Sequence, residues 1–107
     1  MISPVGEEGS MAMHEPQENL RHDLGSILKH ANDQGELEVL VEGLLTPQEI
    51  EEVVRRWRLL KRLIAGETQR DISRELGVSL GKISRGSRLL QYGPPKFRDL
   101  VTKGPGQ

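Results

Sequence analysis

The sequence predicts an all-α fold built around a helix-turn-helix, and three observations carry that reading. The first is the stretch Thr68 to Leu90, TQRDISRELGVSLGKISRGSRLL. In it an apolar residue, a glycine five positions on and an apolar residue six beyond that (Ile72, Gly77, Ile83) reproduce the helix-turn-helix spacing. The second is helical periodicity in the apolar residues upstream. The third is charge segregation. Residues 1–54 carry 2 Lys/Arg against 12 Asp/Glu, a net of -10, whereas residues 55–107 carry 13 against 4, a net of +9. The overall charge of -1 therefore hides a positive half that coincides with the helix-turn-helix, as a phosphate-binding surface requires. Mutual neutralisation of the two halves across an interface is the plainer alternative, and both can hold.

Taken in order, Met1 to Met13 reads as a disordered, acidic arm with almost nothing to bury. From about Glu15 to Ala31, Leu20, Leu24, Ile27, Leu28 and Ala31 recur on one face of an amphipathic helix. His14, His22 and His30 fall near it at intervals of eight, which spreads them over several faces. No i, i+4 pair results, and solvated histidines are the better reading than metal ligands. Asn32 to Gly35 is a turn. Glu36 to Leu45 follows as a short apolar helix with Leu37, Leu40, Val41, Leu44 and Leu45 on one side. One chain this small would struggle to cover both helices, so residues 14–45 are read as a dimerisation surface, with an intrachain core as the alternative.

The central helix over 46–66 opens with Thr46, Pro47, Gln48 and Glu49: a cap, a proline at the first helical position and a glutamate in the capping-box place. Ile50, Val53, Val54, Trp57, Leu60 and Ile64 make its expected buried stripe. Glu51 and Glu52 can pair with Arg55 and Arg56 one turn on, while Arg58, Lys61 and Arg62 lack an acidic neighbour within the helix and are candidates for phosphate or ligand contact. The helix-turn-helix spans 67–92. Thr68 caps its first helix with Asp71 three residues on, and Ile72 and Leu76 share a face. Gly77 supplies the left-handed turn, Val78 fills the corner and Ser79 caps the second helix. On that second helix Leu80, Ile83 and Leu90 are expected inward, leaving Lys82, Arg85 and Arg88 for other faces. Tyr92 to Pro95 breaks the chain, a short helix over Lys96–Thr102 within 94–103 docks Phe97, Leu100 and Val101, and Lys103 to Gln107 is a frayed tail.

Composition excludes much else. At 107 residues the chain makes one domain at most, and its three aromatics, Trp57, Tyr92 and Phe97, leave the packing to aliphatics. It has no cysteine, hence no disulfide and no cysteine-ligated zinc. No apolar run approaches membrane-spanning length and the start lacks a signal-peptide pattern, so a soluble cytoplasmic protein is expected. An enzyme is the least favoured class: no carboxylate pair or phosphate loop appears, and no catalytic or metal residue is assigned.

Set out this way, the chain resembles the Trp repressor family, a bacterial family of regulators. The resemblance rests on Leu45 to Glu49, Arg56, Gly66-Glu67, Gln69 to Ile72, Glu75 to Gly77 and above all Ile83-Ser84-Arg85-Gly86-Ser87, and it covers roughly residues 15 to 102. It implies a six-helix subunit with a helix-turn-helix in an intertwined homodimer. It also implies repression at a pseudo-palindromic operator in double-stranded DNA when L-tryptophan, as corepressor and with no further cofactor expected, wedges behind the motif. By the same resemblance Arg56 and Arg85 sandwich the indole, Thr46 lies near the carboxylate and ring, and Gly86 leaves room for the ring. Backbone carbonyls around Gly43 and Leu45 take the amino group. Guanidinium planes suit an indole face, and Arg85 can also answer the carboxylate.

For DNA, the resemblance points Arg70 at a base edge and lines the groove with Leu80, Gly81 and Ser84, of which Gly81 and Ser84 are small enough for water-mediated readout of the kind known for the Trp repressor. Lys82, Ser73 and Gln91 fall where the family touches phosphate, and Arg74 and Arg88 are extra cations. The departures are Leu89 in place of a serine that helps hold the amino group, Arg88 in place of an asparagine, and one residue fewer between Glu67 and Gln69. Trp57 is expected near the pocket where an aliphatic is usual, able to fill part of it. A regulator of this type that needs no tryptophan is the second reading. A helical module that meets an acidic protein through its basic half is the third.

Overall fold

The computed structural model describes residues 15–106, and the arm over 1–13 lies outside them. Six helices account for all regular structure among the described residues: α1 (Gln17–Lys29), α2 (Gln34–Leu44), α3 (Pro47–Ile64), α4 (Gln69–Leu76), α5 (Leu80–Tyr92) and α6 (Pro95–Lys103). They fall into two compact units that divide between Leu44 and Leu45, where length alone predicts one domain. Burial explains the division. Neither α1 nor α2 contains a buried residue, so the whole buried core belongs to the second unit.

In the first unit, α2 begins two residues earlier than the apolar pattern suggests. Asp33 Oδ1 accepts from the Glu36 amide at 2.9 Å and Glu36 Oε1 accepts from the Asn32 amide at 2.9 Å, a reciprocal cap that draws Gly35 into the first turn. The apolar faces remain open. Leu20, Leu24 and Ile27 of α1 and Val39 and Leu44 of α2 are exposed, with Leu24 at 49%.

In the second unit, Thr46 and Glu49 form the expected capping box at the start of α3, with bonds of 2.8 and 3.1 Å. The chain turns away just past the end of α3 at Gly66, whose φ of 90° lets the Gly66 and Glu67 amides reach back to the Leu63 and Arg62 carbonyls. α3 packs against α4, α5 and α6 around Leu59, Leu60, Ile72, Val78, Ile83, Leu90 and Val101. Its buried stripe is shifted from the one periodicity suggests: Leu59 and Leu60 are buried, whereas Val53 and Val54 near the N-terminus are exposed. Leu80 and Leu100, expected inward, are exposed at 54% and 56%. Leu80 is the first residue of α5 and Leu100 sits beside Val101, which takes the inward place on α6.

The α4–α5 corner forms as its sequence dictates. Thr68 Oγ1 accepts from the Asp71 amide at 3.1 Å, Ser79 Oγ from the Lys82 amide at 3.2 Å, and Gly77 takes φ 68° between them. The Ser73 hydroxyl adds a strut, donating to the Val78 carbonyl at 2.7 Å.

Candidate ligand cleft and nucleic-acid interface

Three stripes on α5 organise the site. Ile83, Gly86 and Leu90, at spacings of 3 and 4, are buried against the core. Lys82, Arg85 and Leu89, also at 3 and 4, line a cleft. Gly81, Ser84, Arg88 and Gln91, at 3, 4 and 3, are exposed and form the outward face. One helix thus serves the core, a cavity and solvent with three sets of residues.

The cleft opens between α3 and α5 with a volume of about 640 Å³, within the range of small-molecule sites. Leu59, Leu60, Val78, Leu89 and Phe97 give it an apolar lining, and Gly77, Ser79 and Gly86 complete the wall. Gly86 lets α5 lie close against side chains of α3. A Cβ there would lie 2.9 Å from Leu59 Cδ1 and 3.3 Å from Leu60 Cδ2. Arg55 and Arg56 from α3 and Lys82 and Arg85 from α5 line the cleft, joined by one acid, Glu52. Glu52 Oε2 is 3.8 Å from Arg56 Nη2 and 3.6 Å from Lys82 Nζ, so it faces cations on both helices. Arg85 forms no ion pair among the described residues.

The outward surface is basic and small. Arg70, in the first turn of α4, is exposed and also forms no ion pair among the described residues, as is Arg88 on α5. Arg74, by contrast, binds Asp71 at 2.6 Å. That bond, with the Thr68 cap, holds the Asp71 carboxyl below the usual aspartate range.

A family model described as Trp repressor protein matches residues 19–104. The chain belongs to the Trp repressor family. Members of that family are transcriptional regulators, not enzymes. The chain is 39% identical over 66 residues to a Trp operon repressor homolog of Vibrio vulnificus, a match covering 61% of this chain and 65% of that relative. It is 35% identical over 79 residues to one of Vibrio campbellii, covering 73% and 79%. Another, of Chlamydia trachomatis, is 35% identical over 68 residues, covering 63% and 72%. The chain thus spans just under two thirds of the length of the first of these relatives.

Of the residues that the Trp repressor resemblance marks for the ligand, Arg56, Arg85 and Gly86 come together in the cleft. Thr46 does not line it: its hydroxyl is held in the α3 capping box, and Leu45 precedes it. Gly43 lies on α2, in the first unit. Of the DNA set, Arg70, Leu80, Gly81, Ser84, Arg88 and Gln91 are exposed, while Ser73 is half-buried with its hydroxyl proton committed to Val78. Lys82 belongs to the cleft stripe and not the outward one.

Three sequence readings are corrected. Trp57 is not among the cleft residues; its indole N–H donates to the Pro105 carbonyl at 2.9 Å, and Gly104 leaves room for the ring. Lys61 is not a free cation for ligand or phosphate. Its ammonium donates to the Val101, Thr102 and Gly104 carbonyls at 3.0, 3.3 and 3.0 Å, capping α6, so with the Trp57 bond the tail as far as Pro105 is tied down and not frayed. Arg62 likewise joins Glu67, at 2.6 Å, and Glu75, bracing α3 to the shortened link and to α4. Both carboxylates raise its already high pKa. These partners lie 5 to 48 residues away in sequence, beyond an i±4 search within one helix. Sequence reasoning also missed Leu59 and Phe97 as cleft lining and treated Glu52 only as an intrahelical partner of Arg56.

Proposed function

We propose that this chain is a cytoplasmic, homodimeric repressor that reads a pseudo-palindromic site in double-stranded DNA through α4 and α5, with L-tryptophan as corepressor. The observation that carries the proposal is the cleft behind α5, bordered by Arg56 on one helix and Arg85 on the other over an aliphatic floor. A planar indole suits two guanidinium groups above apolar side chains, and the unpaired Arg85 suits its carboxylate. Seated there, the ligand sets the pose of the outward stripe. Arg70 reads a base edge, Leu80, Gly81 and Ser84 line the groove, and Arg88, Lys82 and Gln91 approach phosphate. The exposed apolar faces of α1 and α2 support dimerisation, since a second copy would cover what one chain leaves in water.

The test is operator retardation with and without L-tryptophan, together with calorimetry. Binding heat and a tighter operator complex in its presence are expected. Equal DNA affinity in both conditions and no heat would remove the corepressor half of the proposal. A second reading, DNA binding without tryptophan, is favoured by one observation: Leu89 projects into the cleft where the family's serine helps hold the amino group. Arg56→Ala separates the two. It abolishes a tryptophan response under the first reading and changes ligand-free binding little under the second.

A further inference from the structure

The positive side chains of the cleft answer the carboxylate of an amino acid, but an amino acid also brings an ammonium. The N-terminal part of α3 offers one group of the matching sign. Glu52 is the sole acid lining the cleft, one turn before Arg56 and facing Lys82. Its two cationic neighbours stand at 3.8 and 3.6 Å, longer than a hydrogen bond. Among the described residues its carboxylate accepts no hydrogen bond, so its lone pairs are open to a donor that enters the cleft.

We infer that Glu52 is a specificity-determining residue of this cleft, accepting the ammonium of a zwitterionic aromatic amino acid and so rejecting aromatic acids that lack the amine. The inference rests on the corepressor reading above and deepens it. The physical reason is charge complementarity at both ends of the ligand. A zwitterion presents its carboxylate to Arg85 and its ammonium to Glu52, whereas a des-amino acid sets no donor against Glu52 and leaves a carboxylate repelled by it. The Leu89 side chain on α5 has no group that accepts a hydrogen bond, and Glu52 on the opposite helix is the acid that lines the same cleft. The same exchange connects the cleft to DNA. An ammonium at Glu52 competes with Lys82 for one carboxylate and releases the lysine toward phosphate, a contact that differs between free and liganded states as coupling requires.

The experiment is calorimetric titration of wild type, Glu52→Gln and Asp99→Asn with L-tryptophan and with indole-3-propionate, the same ring and chain without the amine. Asp99 is the control because it carries the same charge, pairs with Lys103 at 3.3 Å, and neither residue lines the cleft. Wild type and Asp99→Asn should prefer tryptophan. Glu52→Gln should weaken tryptophan about tenfold, the loss of one charge-assisted hydrogen bond, and strengthen indole-3-propionate, erasing the preference. Tryptophan binding by wild type with the preference intact in Glu52→Gln overturns this inference alone. So does equal weakening of both ligands, which would assign Glu52 to the indole N–H or to the wall. Binding of neither ligand by wild type overturns the corepressor reading and this inference with it.

Discussion

Gly86 shows how little room the cleft leaves for change at a single residue. Its absent side chain points at Leu59 and Leu60, both buried, so the glycine sets how closely α5 approaches α3 and thereby the width of the cleft. Gly86→Ala forces a methyl group within 2.9 Å of Leu59 Cδ1. Overpacking of this kind destabilises by about 1 to 3 kcal/mol, and thermal unfolding should show it. The same variant should lose ligand heat, because a displaced α5 carries Arg85 with it. Unchanged unfolding and unchanged heat would show that the helices are not in contact there. Glu52 and Arg85 are the complementary case: both side chains are exposed, so on the proposed function their removal should alter what the cleft accepts with little change in thermal unfolding.

At the scale of elements, side chains reaching between helices add to what the core of the second unit supplies. Lys61 on α3 is hydrogen-bonded to three carbonyls at the end of α6, and Trp57 holds the segment beyond it. Lys61→Met keeps the apolar stem but leaves those carbonyls to water. A loss of about 1 to 2 kcal/mol is expected, with the fluorescence of the single tryptophan reporting an early release of the tail. A single transition with wild-type midpoint would contradict it. The α4 cap carries a pH dependence. Asp71 is held below its ordinary pKa, first by its bond to Arg74 and then by Thr68. A depressed carboxyl pKa contributes stability that is present above the unfolded value, near about 3.9, and is lost as pH falls through the lower folded value. Asp71→Asn should therefore show a smaller change in unfolding midpoint between about pH 6 and about pH 3 than wild type does. An equal change would remove Asp71 from the acid response.

At the scale of the whole molecule, charge and apolar surface are segregated along the chain. The basic half holds the cleft and the outward stripe, while the acidic half carries helices that bury nothing. Sedimentation should return twice the monomer mass, and a monomer at micromolar concentration would remove the dimer from the proposal. Operator affinity should fall steeply with salt as counterions are released. Arg88→Gln should reduce the slope of log affinity against log salt by about one, uniformly across sequences. A slope near zero in wild type would favour a protein partner for the basic half.

The sequence alone determined the six helices, the caps of α3, α4 and α5 and the turn at Gly77, because each depends on residues within four positions of one another. It also made Arg56, Arg85 and Gly86 legible as one group, through the motif around Ser84 to Ser87 and the opening at Thr46. Periodicity located helix faces only coarsely. It chose Val53, Val54, Leu80 and Leu100 as buried and passed over Leu59, since a period of 3.6 says which residues share a face and not which end of that face is covered. Tertiary structure decided what each cation does. Lys61 and Arg62 read as spare charge along their own helix, yet their partners lie elsewhere in the chain, and Lys82 turns from the groove toward Glu52. Local rules cannot supply that, because an ion pair across helices is fixed by how those helices pack and by nothing in the spacing of either one.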